Sequence, residues 1–150
     1  MRHKNWLSEE DFTLIYSNVP RLNVDLVICN ESGGVVLIKR SVLPSIGSWH
    51  LPGGTVYKTE RVEDAAKRIA MNETGFEIRV IKSLGYMEFP HEERELFEMH
   101  SVSIVLLVEV CGGVMKSDEN AEGIGIFKES LPEPCLQGYD TFLIDYGFFK

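Results

Sequence analysis

At 150 residues, 44% hydrophobic and 25% charged, the chain suits one domain, 1–150, with a sizeable core, and two would be a strain. Its formal net charge of −8 excludes a sequence-independent grip on nucleic acid, which draws its free energy from cations displacing counterions; a small phosphorylated anion can still be held by local arginines and bridging metal ions. The longest apolar run, Val102 to Val110 around Ser103 and Glu109, is too short to span a bilayer, and MRHKNWLSEE holds no apolar signal segment, so a cytoplasmic protein is expected.

Ser8, followed by Glu9, Glu10 and Asp11, predicts a helix N-cap with acids in the first turn, opening an N-terminal helical arm over 1–20 that stops before Pro20. From Leu22 the pattern LNVDLVICN, ESGG, VVLIKR predicts a β-hairpin. Residues 41–59 hold two prolines and three glycines, which suits a structured loop around a short strand. Thr59 then caps a predicted helix over 60–74, with Glu60, Glu63 and Asp64 at its positive end and Gly75 at the left-handed stop. Val62, Ala65, Ala66, Ile69 and Ala70 form one apolar stripe, and Glu73 extends it. Strands are predicted at 77–89 and 99–111 around an acidic loop, HEERELFE. A Gly-Gly turn, a strand near GIGIF and a helix from about Tyr139 follow. Strands on both sides of a central helix in this order predict an α+β sandwich. Cys29, Cys111 and Cys135 have no metal-type spacing and read as free thiols.

The chemistry concentrates where a glycine loop runs into an acid-rich helix. Gly53 and Gly54 let the backbone approach a ligand, and a carbonyl there can serve a hard cation. Glu60 and Arg68 lie eight apart, about two helical turns, so the arginine can orient a carboxylate or meet a phosphate. In Glu92, Glu93 and Glu95 the acidic loop offers further acids, with a solvated connection as the alternative.

Gly54, Glu60, Arg68, Ala70, Glu73, Gly75 and Phe76, led in by WHLPGG, resemble the signature of the Nudix hydrolases. The resemblance implies a mixed sheet sandwiched between helices and Mg²⁺-dependent (or Mn²⁺-dependent) hydrolysis of a nucleoside diphosphate linked to another group. Ile69 and Asn72 stand where that signature has glutamates. Positions 69, 72 and 73 share one helix face, so a cluster of three acids is reduced to Glu73, which suits one cation better than several.

SEEDF from Ser8, Asp25-Leu26, Lys39-Arg40, the IGSW to PGG spacing and RIAM from Arg68 are similar to GDP-mannose mannosyl hydrolases, a Nudix subgroup, over roughly residues 8–110. That resemblance implies Mg²⁺ on Glu73 and the Gly53 carbonyl, and Arg40 and Arg68 on the diphosphate. Asp25 then contacts substrate or leaving group, His91 and His100 line the pocket, and the arm makes a homodimer. Such enzymes cut the sugar carbon to oxygen bond. Their histidine base beside a metal-binding glutamine is replaced here by Asn120 and Ala121, which makes Asn120 the remaining metal-ligand candidate, and an arginine after the two glycines is replaced by Thr55. Glu119 and Glu122, from the same loop, are the alternative base or second metal ligand for attack on phosphorus. The expected catalytic set is therefore Arg68, Glu73, Glu119 and Glu122. Two alternatives stay open: a pyrophosphatase acting on a nucleotide sugar, ADP-ribose or a nucleoside triphosphate, and a non-catalytic nucleotide-binding module.

Overall fold

A seven-stranded mixed sheet carries the chain. The computed structural model describes residues 7–41, 45–116 and 121–150, with the backbone alone at Ala121 and Glu122. The N-terminal helix α1 (Glu9–Tyr16) starts as expected: Ser8 caps it, its hydroxyl accepting from the Asp11 N–H at 3.1 Å. The sheet is built on β1 (Arg21–Cys29), which runs parallel to β6 (Glu98–Gly113) from Arg21 opposite Ser101 to Cys29 opposite Glu109. Residues Asn23 to Ile28 are buried without interruption, because β1 is covered on both faces. On one face Val24, Leu26 and Ile28 pack under α2 (Val62–Thr74) through Ala65, Ala66, Ile69 and Ala70. On the other, Val27, Leu37 and Val105 pack against α3 (Tyr139–Asp145) through Tyr139, Phe142 and Leu143. The expected helix-covered α/β sandwich with a mixed sheet is the observed architecture.

The predicted hairpin forms only at its turn. Asn30 accepts there from the Gly34 N–H at 2.9 Å and Gly33 adopts a left-handed φ of 85°, but Cys29 opposite Val35 is the only register pair between β1 and β2 (Val35–Arg40). Beyond it the strands part. β2 pairs with β3 (Trp49–His50) and with β7 (Ala121–Phe127), while the vacated edge of β1 takes β4 (Gly53–Thr55), with Asn23, Val24 and Asp25 opposite Thr55, Gly54 and Gly53. This divergence sets the glycine loop against the centre of the sheet.

The α2 helix begins two residues later than predicted. Thr59 has a left-handed φ of 66° and cannot act as the cap; Arg61 takes that position without a side-chain cap bond. The end is as predicted, with Gly75 at φ 78° and its N–H on the Met71 carbonyl at 3.0 Å. Half of the segment expected as an acidic loop is strand: β5 (Phe76–Glu93) and β6 pair as far as Glu93 opposite Glu98, leaving residues 94–97 as the connection. No helix among the described residues is long and apolar enough to cross a membrane.

Candidate active site

Side-chain alternation along β1 places Arg21, Asn23 and Asp25 on the face opposite Val24 and Leu26, along the floor of an open cleft of about 1310 Å³. One wall is the glycine loop, with Gly53, Gly54 and Glu73 at the end of α2; another is Arg40 and His50; α3 contributes Tyr139. Glu73 is tied to the loop, its Oε2 accepting from the Gly53 N–H at 3.0 Å. Glycine is required at position 53 because a Cβ there would run into the Asp25 carboxyl group and the Val24 carbonyl. Gly54 sits over Ile69, whose Cδ1 lies 3.4 Å from where a Cβ would be. Ile69 is thus a core residue beneath the loop, and Asn72 is exposed.

Arg68, expected on the diphosphate, is engaged elsewhere. Its Nε and Nη2 donate to the two carboxylate oxygens of Glu60 at 2.8 and 2.9 Å, and Nη2 also donates to the Thr55 carbonyl at 2.8 Å. Its guanidinium lies 3.9 Å over the Tyr57 ring. Burial works most strongly against the charge, but the Glu60 bonds together with the nearby Tyr57, Glu60 and Glu73 charges outweigh it and raise the pKa. Among the described residues Arg68 is not part of the cleft lining; it clamps loop to helix, and it diverts Glu60 from the helix start where the sequence placed it.

Asp25 is buried and bonded from two sides, by the Ser103 hydroxyl and by the Tyr139 hydroxyl at 3.2 Å. Burial raises its pKa to about 7, against the pull of those donors and of Arg21. His50 is pushed the other way, to about 4, by burial and by the Arg40 charge; its Nδ1 lies 2.7 Å from the Leu51 carbonyl, which requires a proton on that nitrogen. Burial and the neighbouring Arg94 lower the pKa of Arg40. Arg21, also in the floor, is brought to about 10 by burial while Glu92 opposes the fall.

Of the other expected residues, His91 stands exposed on the rim, 2.8 Å from Glu98, and His100 does not line the cleft. Glu119 and Asn120 lie outside the described residues, as does the side chain of Glu122. Sequence reasoning missed Arg21, Asn23, Arg94 and Tyr139 and gave His50 no role. A signal existed for the first two: arginine, asparagine and aspartate alternate through an otherwise apolar strand. None existed for Tyr139, which reaches Asp25 from a distant segment.

The chain matches the NUDIX domain over residues 19–130. It belongs to the Nudix family. This Nudix chain is 42% identical over 143 residues to the low-salt glycan biosynthesis protein Agl8 of Haloferax volcanii, covering 93% of this chain and 88% of that protein. Over 132 residues it is 34% identical to the ADP-ribose pyrophosphatase of Methanocaldococcus jannaschii, covering 87% and 75%. Among solved structures, the MutT Nudix hydrolase from Burkholderia pseudomallei superposes with a TM-score of 0.70 at 30% identity, over 84% of this chain and 97% of that one. The protein is a Nudix hydrolase.

The family typically uses a divalent metal. Among the described residues there is no group of three His, Cys, Asp or Glu that could hold one. The donors present nevertheless fit Mg²⁺, which is commonly held by one or two carboxylates with waters and substrate phosphates completing its shell. Glu73 lines the cleft as such a carboxylate, beside the Gly53 and Gly54 backbone.

Proposed function

We propose that this Nudix hydrolase splits a nucleoside diphosphate sugar in a Mg²⁺-dependent reaction, with Glu73 and the Gly53 carbonyl holding the metal. A bound Mg²⁺ supplies positive charge to the diphosphate, which makes it a better leaving group. Arg40 faces the same region of the cleft and adds a fixed positive charge for that diphosphate. Asp25 lies on the floor beside the glycine loop, where it meets the sugar or the departing oxygen.

One observation carries the preference for breaking the sugar carbon to oxygen bond, as GDP-mannose mannosyl hydrolases do. Ile69 is buried under Gly54 and Asn72 is uncharged, so α2 presents the single carboxylate Glu73 to the cleft. Cleavage of this kind needs charge neutralised on the leaving group and places no demand for a metal-activated water at phosphorus. The likeness to a glycan biosynthesis protein supports a sugar-bearing substrate. The second reading, attack on phosphorus, is favoured by the 34% identity to an ADP-ribose pyrophosphatase. Hydrolysis of GDP-mannose and UDP-glucose in ¹⁸O-labelled water decides between them: label on the sugar is expected, and label on phosphate overturns the preference.

A further inference from the structure

Part of the cleft floor has polar atoms that nothing above employs. Asn23 is 9% exposed, and its Oδ1 is buried with no hydrogen-bond partner. At the β5–β6 connection Arg94 is half-finished in the same way, since Nη2 donates to Glu92 at 3.2 Å but Nε is buried and unpartnered. Desolvating a donor or acceptor without a partner is costly, and folding has left one of each on two residues that line the same cleft. Neither group is free to turn away. Asn23 stands on the central strand, and Glu92, which anchors Arg94, is itself fixed by the Ser101 hydroxyl at 2.8 Å and by Arg21 at 3.7 Å.

We infer that Asn23 and Arg94 form the subsite for the sugar of the nucleoside diphosphate sugar, one hydroxyl donating to Asn23 Oδ1 and another accepting from Arg94 Nε. This rests on the substrate class proposed above and adds which end of the substrate the floor reads. Sugar hydroxyls both donate and accept, so one sugar carries the partners that an unpaired acceptor and an unpaired donor call for. A flat base is the poorer fit, because the nearby rings are turned on one another. Phe89 stacks on Tyr139 at 5.4 Å, and Phe12 meets Phe97 edge-on at 6.2 Å. Along β1 the floor itself presents Arg21, Asn23 and Asp25, polar side chains without a ring.

The test is calorimetric binding of GDP against GDP-mannose and of UDP against UDP-glucose, with Ca²⁺ replacing Mg²⁺ to suppress turnover. The wild-type protein is expected to prefer the sugar-bearing member of each pair. Asn23→Ala should cut that preference about three- to tenfold, the scale of one hydrogen bond, while affinity for the free diphosphates stays within about twofold. Arg94→Lys keeps the charge, removes the Nε–H and should act the same way, so either variant decides if the other fails to fold. Equal affinity for the two members of each pair in wild type, an unchanged preference in the variants, or equal losses for both members would overturn the inference. Turnover of the same two sugars by wild type in Mg²⁺ separates the readings. Sugar-selective binding without hydrolysis sinks the substrate proposal and leaves the subsite, whereas hydrolysis without sugar-selective binding sinks the subsite alone.

Discussion

The two walls of the cleft are built on opposite plans. On the α2 side a helix and a glycine loop present one carboxylate, Glu73, with apolar Ile69 directly beneath and an Arg68–Glu60 clamp behind. On the α3 side the floor is crowded with polar groups, Arg21, Asn23, Asp25 and Tyr139, of which Arg21, Asp25 and Tyr139 are bonded across three segments of the chain. A sparse metal wall facing a dense polar floor puts the discriminating contacts on the floor and leaves the α2 wall to handle charge.

Removing the one acid should break the α2 side most completely. Glu73→Gln keeps the acceptor for the Gly53 N–H but loses the charge, and metal-dependent turnover is expected to fall about a hundredfold or more, as for loss of a principal charge-stabilising group. Steady-state kinetics across a Mg²⁺ titration measures it; activity restored at high Mg²⁺ would still support Glu73 as ligand, and activity unchanged at all concentrations would place the metal elsewhere.

His50 tests the other boundary of the cleft through pH. It is held neutral in the folded protein at a pKa of about 4 and returns to its ordinary value of 6.5 on unfolding. Because the unfolded chain takes up this proton first, the stabilisation is full above pH 6.5 and is lost as the pH falls towards 4. The loss is on the order of 2–3 kcal/mol. Urea denaturation at pH 7 and pH 4.5 should show a smaller loss for His50→Gln, whose amide can still donate to the Leu51 carbonyl. Equal losses in both proteins would mean that the ring reaches solvent and titrates normally.

These walls also differ in how they could be read before folding. Gly54, Glu60, Arg68, Glu73 and Gly75 lie within one stretch of loop and helix, where local geometry converts spacing into position; the helix end at Gly75 and the apolar stripe were therefore legible. What spacing could not tell was which way Arg68 points. Glu60 and Tyr57 capture it, a competition settled by the backbone of residues 57–61, including the left-handed Thr59. The floor depends on long-range pairing. Sequence suggested that β1 would pair with β2, whereas β4 and β6 flank it, and only that topology brings Gly53 to Asp25 and Ser103 beside Asn23. A local turn signal, Asn30 to Gly34, was read correctly and extended too far along strands whose apolar residues fit several partners.

Arg68→Lys sharpens the assignment of that residue as a clamp. A lysine retains one charge but cannot make the two-oxygen bond to Glu60, reach Thr55 and stack on Tyr57 together. Partly exposed as the pair is, stability should fall by about 1–2 kcal/mol. The decisive readout is the separation of effects: a lower melting temperature with KM for a nucleoside diphosphate sugar nearly unchanged. A raised KM at unchanged stability would return Arg68 to the diphosphate.

The smallest effect is expected at Tyr139. Phenylalanine there preserves the ring that stacks on Phe89 and packs in the α3 core, and removes only the hydroxyl bonded to Asp25. One hydrogen bond is worth about 0.5–1.5 kcal/mol, so denaturation should register a loss of that size. If Tyr139 also orients the Asp25 carboxyl towards substrate, kcat/KM should fall several-fold with the pH profile displaced upward, since one of the donors that favours ionised Asp25 is gone. A loss of stability with an unmoved profile would reduce Tyr139 to a packing residue, and the ordering of the floor would then fall to Ser103 on the neighbouring strand.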